Sequence, residues 1–208
     1  MIKKPQNWEN VQAITERKAL PAGGYIVKII AAKVSTYNYN WQSFDKLEVA
    51  FDINDGEYKG FYQQDFDSQQ QEDKRWKGVK RFNVPTDDGS DADTLSQRIL
   101  KGATEALEDS NPGYRWDWDE TKLKGKIVGC IFRLEEWEMN GKKGWKAQPF
   151  KFVPVSDIKS GNFKQPKFKA HRDFPNDTPD NYQNIMDTAS DIKDRFEELD
   201  INEGDLPF

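Results

Sequence analysis

The chain has 208 residues, 36% hydrophobic and 32% charged, with 31 basic against 36 acidic residues, one Cys and one His. That length fits one domain with an appendage, and a domain of about 150 residues buries a sizeable core without covalent staples. A single Cys excludes an internal disulfide framework or a Cys-rich zinc site, and a single His argues against a His-based metal centre or triad.

No apolar run approaches the roughly 20 residues of a membrane span, and Met1-Ile2-Lys3-Lys4-Pro5 lacks the apolar core of a signal peptide. The expectation is a soluble protein of a reducing compartment, with no cofactor, no metal and no membrane partner. A net charge of -5 would ordinarily argue against a polyanion partner. The charge is split, however. Residues 1–172 carry 29 basic and 25 acidic residues, a net of +4, and residues 173–208 carry two and eleven, a net of −9. A mildly basic body with an acidic tail is the layout of a polyanion binder.

Residues 1–20 read as a polar lead-in. Pro21-Ala22-Gly23-Gly24 is a turn signal that opens a β-branched strand over residues 25–34. Tyr37 to Ser43, polar and aromatic, reads as a loop. Residues 46–53 alternate with period two, which puts Leu47, Val49, Phe51 and Ile53 on a core face. Asn54-Asp55-Gly56 marks a hairpin turn, and residues 57–63 read as a third strand. Ser68 to Gln71 starts a short helix before Trp76. Residues 91–107 form a longer one, capped by Asp91 or Asp93, with Leu95, Ile99, Ala103 and Leu107 inward. Ser110-Asn111-Pro112-Gly113 stops it. Strand four runs over residues 127–137 with Val128, Cys130, Phe132 and Leu134 on one face. Asn140-Gly141 turns the chain into strand five, residues 145–155.

Three strands, a helical insert and a closing hairpin give a mainly β chain in the order of a five-stranded OB-fold barrel. The domain spans residues 1–158, followed by a linker over 159–177 and an amphipathic helix over 178–199. That helix carries Tyr182, Ile185, Met186, Ala189, Ile192, Phe196 and Leu199 at helical spacing behind Thr178-Pro179. Residues 200–208 form an acidic tip.

Barrels of this kind grip ligand with the loops joining strands 1 to 2 and 4 to 5. The first holds Tyr37, Tyr39 and Trp41; the second holds Lys142 and Lys143 between Trp137 and Trp145, with Lys146 beyond. Single-stranded nucleic acid needs π-faces for its bases and cations for its phosphates, and both loops supply them. Lys46 and Arg133 alternate away from the core face of their strands, and Lys59 and Phe61 fall on the expected third strand. Residues 74–81 are the densest basic stretch, with Trp76, Lys77, Lys80 and Arg81 as candidate contacts. No catalytic set assembles. The carboxylates of residues 117–120 and 135–138 read as exposed, the phosphate-loop spacing is missing around Gly141-Lys142-Lys143-Gly144, Cys130 is a core residue and His171 has no co-ligand.

The last residues, Asp205-Leu206-Pro207-Phe208, resemble the acidic tip of bacterial single-stranded DNA-binding proteins, in which a terminal Pro-Phe docks on replication and repair partners. Leu20 to Tyr25, Gly56 to Gly60, Ser110 to Tyr114 and Leu123 to Gly129 are similar to phage-encoded single-stranded DNA-binding proteins of Gram-positive hosts. The likeness spans roughly residues 20–160 in spaced motifs, plus the tip. It implies a non-enzymatic binder of single-stranded DNA in phage replication, recombination or repair, working in the cytoplasm of an infected bacterium. The amphipathic segment 178–199 is a departure, since the bacterial proteins carry a plainly disordered linker there. A protein–protein adaptor, with structural aromatics and a docking helix, remains the alternative, and the sequence leaves open whether a second copy of the chain is also a partner.

Overall fold

The computed structural model describes residues 2–6, 8–10, 19–39 and 41–170. β1 (Gly23–Tyr39) and β2 (Gln42–Ile53) form a long antiparallel hairpin. Residues 37–43, expected as a loop, are therefore mostly strand. Cross-strand bonding explains the extension: Tyr37 pairs with Phe44, Thr36 Oγ1 donates to Asp45 Oδ1 at 2.6 Å, and Ser43 Oγ donates to Asn38 Oδ1 at 2.6 Å. A bulge between Ile29 and Ala31 shifts the register. β-branched and aromatic residues supply the strand propensity.

The expected third strand over residues 57–63 is not formed. The chain turns through Gly60, at φ 74°, into α1 (Phe61–Asp67). Asp52, on β2, accepts from the backbone N–H of Tyr62 at 2.9 Å and Gln63 at 3.1 Å, satisfying donors that the first helical turn leaves unpaired. A helix start expected near Ser68 thus falls seven residues earlier, at Phe61, and Ser68 is its C-cap. Gln69, buried, holds the following irregular stretch through Arg75 N–H and the Arg75 carbonyl. The third strand is β3 (Val79–Asn83), antiparallel to β2 from Lys46↔Asn83 to Ala50↔Val79.

α2 (Asp91–Ser110) follows, with Ser90 Oγ accepting from Asp93 N–H at 3.0 Å; Ser90, not Asp91 or Asp93, is the cap. Its buried stripe is Leu100, Ala103, Ala106 and Leu107, while Ile99 is exposed. The expected Leu95–Ile99–Ala103–Leu107 series advances four residues at a time, drifting about 40° round the helix per step, so its ends face different ways.

β4 (Ile127–Met139) and β5 (Lys142–Val153) are joined by Asn140 at φ 52° and Gly141 at φ 71°, the positive pair that a tight hairpin turn requires. The result is a mainly β structure: one antiparallel sheet in the order β3-β2-β1-β4-β5, open in its hydrogen bonding. Val27, Ile29, Leu47, Val49, Phe51, Ile53, Val128, Cys130 and Phe132 are buried on its inner side. Phe51 meets Phe132 and Phe152 edge to face at 6.1 and 6.2 Å, and Phe82 of β3 meets Phe152 of β5 at 5.3 Å.

The segment expected as a linker from residue 159 is docked over its first part. After α3 (Val155–Ser160), Gln165 Nε2 donates to the Phe132 carbonyl at 2.7 Å. Lys169 N–H donates to Leu134 O at 2.8 Å and the Lys169 carbonyl accepts from Glu136 N–H at 2.9 Å, a parallel bridge on the edge of β4 beyond the end of β1. Phe168 packs edge-on against Trp145 at 5.3 Å. The rest of the expected linker, the helix over 178–199 and the tip over 200–208 lie outside the described residues. Among the described residues, no helix is long and apolar enough to cross a membrane.

Gly78 marks the tightest approach in this frame: a Cβ there meets Phe51 O at 2.4 Å and the Tyr62 ring at 2.6 Å. A backbone carbonyl in a central strand has nowhere to move. Gly78→Ala is expected to lower stability by about 1–3 kcal/mol, read as a fall in the urea midpoint with unchanged slope.

Candidate nucleic-acid interface

Strand alternation gives the β1–β2–β3 region a second face, opposite the core. In register, Lys33 lies across from Glu48, Ser35 from Lys46 and Tyr37 from Phe44, and Glu48 also pairs with Arg81 on β3. Tyr37 and Phe44 stack with ring centroids 6.0 Å apart and planes 14° from parallel. Lys46 Nζ sits 5.6 Å from the Tyr37 centroid and 5.1 Å from that of Phe44. Glu48 accepts from Tyr37 Oη, from Arg81 Nε at 2.7 Å and from Ser35 Oγ at 3.3 Å, with Lys33 Nζ 3.6 Å away. Arg81 Nε also donates to Tyr37 Oη at 3.3 Å.

Burial alone would raise the Glu48 carboxyl. The hydrogen bonds from Tyr37 and Arg81, and the charges of Arg81 and Lys33, outweigh it and hold the group at about 2. Glu48 is ionised at neutral pH and fixes the rings and the guanidinium relative to one another. The assembly offers stacked aromatic planes and cations on a rigid sheet, the chemistry that holds bases and phosphates.

The other expected contacts are distributed differently. Trp41 is fully exposed at the hairpin tip, with φ 66°, and Tyr39 occupies the last register position beside it, across from Gln42. Lys59 is exposed, and Phe61 packs edge-on against Tyr58 and Tyr62. Both lie past the far end of β2, roughly 20 Å along the strand from Lys46. Trp76 is structural: half-buried against the core, it donates Nε1–H to Phe51 O at 3.1 Å and Gly78 O at 3.2 Å. Lys77 is paired with Asp65 at 3.0 Å. Lys80 lies on the inner side, across from buried Val49, its ammonium 5.5 Å from the Phe82 ring centroid; Arg81 alone of that adjacent pair faces outward. Arg133, expected at the surface, is buried: Nε and Nη2 bond Glu135 Oε1 at 2.9 Å and the guanidinium covers the Phe150 ring. A bulge between Ile131 and Phe132 lies beside Arg133.

The β4–β5 hairpin divides its candidates between two faces. Trp137, lying over Gly144, shares one with Lys142 and Lys146, whereas Trp145 and Lys143 share the Leu134–Ala147 side. Trp145 is packed on the core. Along the strands, β1 and β4 leave their shared pairing in opposite directions, so the two expected loops are not neighbours in register.

Lys33, Ser35, Phe44 and Glu48 belong to the face and were not singled out in the sequence. The signal was there: once Tyr37 is placed on a strand, period-two alternation and a two-residue turn bring Phe44 and Lys46 beside it. Asp205, Leu206, Pro207 and Phe208 lie outside the described residues. Cys130 is buried, and burial pushes its thiol well above the ordinary range. Among the described residues, no group of three or more His, Cys, Asp or Glu is placed to hold a metal. No family model matches the chain, and no curated protein matches it.

Because the Glu48 carboxyl sits below its unfolded value of 4.5, the stabilisation it brings is complete above that pH and is lost as pH falls towards about 2. Urea unfolding of the wild type and of Glu48→Gln is expected to differ by roughly 2 kcal/mol at neutral pH and to converge near about pH 2.

Proposed function

We propose that the chain is a single-stranded DNA-binding protein with an OB-like domain, serving phage replication, recombination or repair in the cytoplasm of an infected bacterium. The strand order β3-β2-β1-β4-β5, with α2 between β3 and β4 in the chain, is the OB order. The Phe82–Phe152 ring contact between its two end strands supports that reading. One observation carries the functional reading: the stacked Tyr37–Phe44 pair with Lys46 beside it and Arg81 and Lys33 around Glu48, on the outer face of β1, β2 and β3. Bases stack on the rings and phosphates meet the cations, with no donor pattern to select a sequence. Trp41 extends the platform at the hairpin tip. No catalytic step is assigned. The acidic tip over 200–208, ending Leu206-Pro207-Phe208, recruits replication and recombination partners by an apolar plug and a terminal carboxylate.

Titration of the full chain with oligo-dT, followed by Trp fluorescence and by filter retention, tests this reading. Saturable binding that weakens steeply with salt is expected. Replacing Tyr37 and Phe44 together by Leu removes two stacking planes and is expected to cost at least about tenfold in affinity. A chain that neither quenches nor retains the oligonucleotide is instead the adaptor.

A further inference from the structure

Glu48 is an anion at the centre of a face assigned to anions. Its side chain is only 13% exposed, and it accepts from Arg81, Tyr37 and Ser35 while Lys33 stands 3.6 Å away. Arg81 reaches both Glu48 and Tyr37 through Nε, and half of its side chain remains exposed. Lys46 is different: its ammonium stands over two rings, and no carboxylate pairs with it among the described residues.

From this geometry, and resting on the nucleic-acid reading above, we infer that Glu48 is a built-in counter-ion of the binding face. It orients Tyr37 and Arg81 and offsets one unit of the positive charge that Arg81 and Lys33 carry together, until a phosphate competes for them. The physical consequence concerns salt. A cation neutralised by a fixed carboxylate does little to displace the counter-ions condensed on the strand, so it adds little to the salt dependence of binding. Binding is thereby held down to a strength at which the strand stays exchangeable, with the aromatic platform already set.

The test measures oligo-dT dissociation constants for the full chain across a salt series. Glu48→Gln keeps an acceptor oxygen for Tyr37 and Arg81 but removes the charge. It is expected to bind about three- to tenfold tighter at low salt. Its log–log salt slope is expected to steepen by about 0.7, the share of the one unit of positive charge that the carboxylate offsets. Two surface variants probe the same idea without touching Glu48. Lys46→Gln is expected to flatten the wild-type slope by about 0.7 and Lys33→Gln by less, whereas in the Glu48→Gln background Lys33→Gln recovers the full effect. Unchanged or weaker binding by a folded Glu48→Gln, or equal effects of the two lysine variants in the wild type, overturns the counter-ion role while leaving DNA binding in place. A wild-type chain that binds no oligo-dT overturns the functional reading itself.

Discussion

In the β1–β2 hairpin, Val49 lies across from Ala32 and Leu47 from Val34, while Glu48 lies across from Lys33 and Lys46 from Ser35. A slip of one residue would send every side chain of a strand to the opposite face. The same register therefore decides two things together: Leu47, Val49, Phe51 and Ile53 meet Phe132 and Phe152 inside, and Phe44, Lys46 and Glu48 assemble with Tyr37 and Arg81 outside. Core and candidate interface are two sides of one constraint. The Ile29–Ala31 bulge belongs to it, because it resets the alternation between the part of β1 that pairs with β4 and the part that carries Lys33 and Tyr37.

The strands were legible where one face is buried and the other is wet. Leu47 to Ile53 alternate and lie where that pattern puts them; Val128, Cys130, Phe132 and Leu134 also lie in the core, although Ile131 and Arg133 between them are buried as well. Asn140-Gly141 is a turn for a local backbone reason that needs no tertiary information. The failures are non-local. Glu57 to Gln63 carries strand-like aromatics, yet it coils into a turn and α1 because Asp52, on a neighbouring strand, caps the helix. Residues 161–170 read as linker by composition and dock because β4 outruns β1 and leaves an edge to be filled.

The candidate interface was legible in part. Tyr37, Lys46 and Arg81 were singled out and come together on the outer face, Lys46 over the Tyr37 ring and Arg81 bonded to its hydroxyl and to Glu48. Trp76 and Trp145 looked like stacking platforms because composition does not say which aromatics the core consumes; both pack against it. Arg133 shows the limit of alternation as a guide to exposure. It points away from Phe132, but Phe150 and Glu135 cover it. The charge of -5 tells a similar story at larger scale. It hides a body of net +4, and within that body Glu48 repeats the arrangement locally, an anion set among the cations of the face.

On the proposal above, single-stranded DNA lies on the outer face of β1, β2 and β3. Ultraviolet crosslinking of oligo-dT to the full chain, with the adducts mapped by peptide mass, tests it most directly. Adducts are expected on peptides covering residues 33–48 and 79–83, with Tyr37 and Phe44 foremost. Adducts confined to α2 or to the Lys59–Phe61 turn, or none at saturating oligonucleotide, would contradict it.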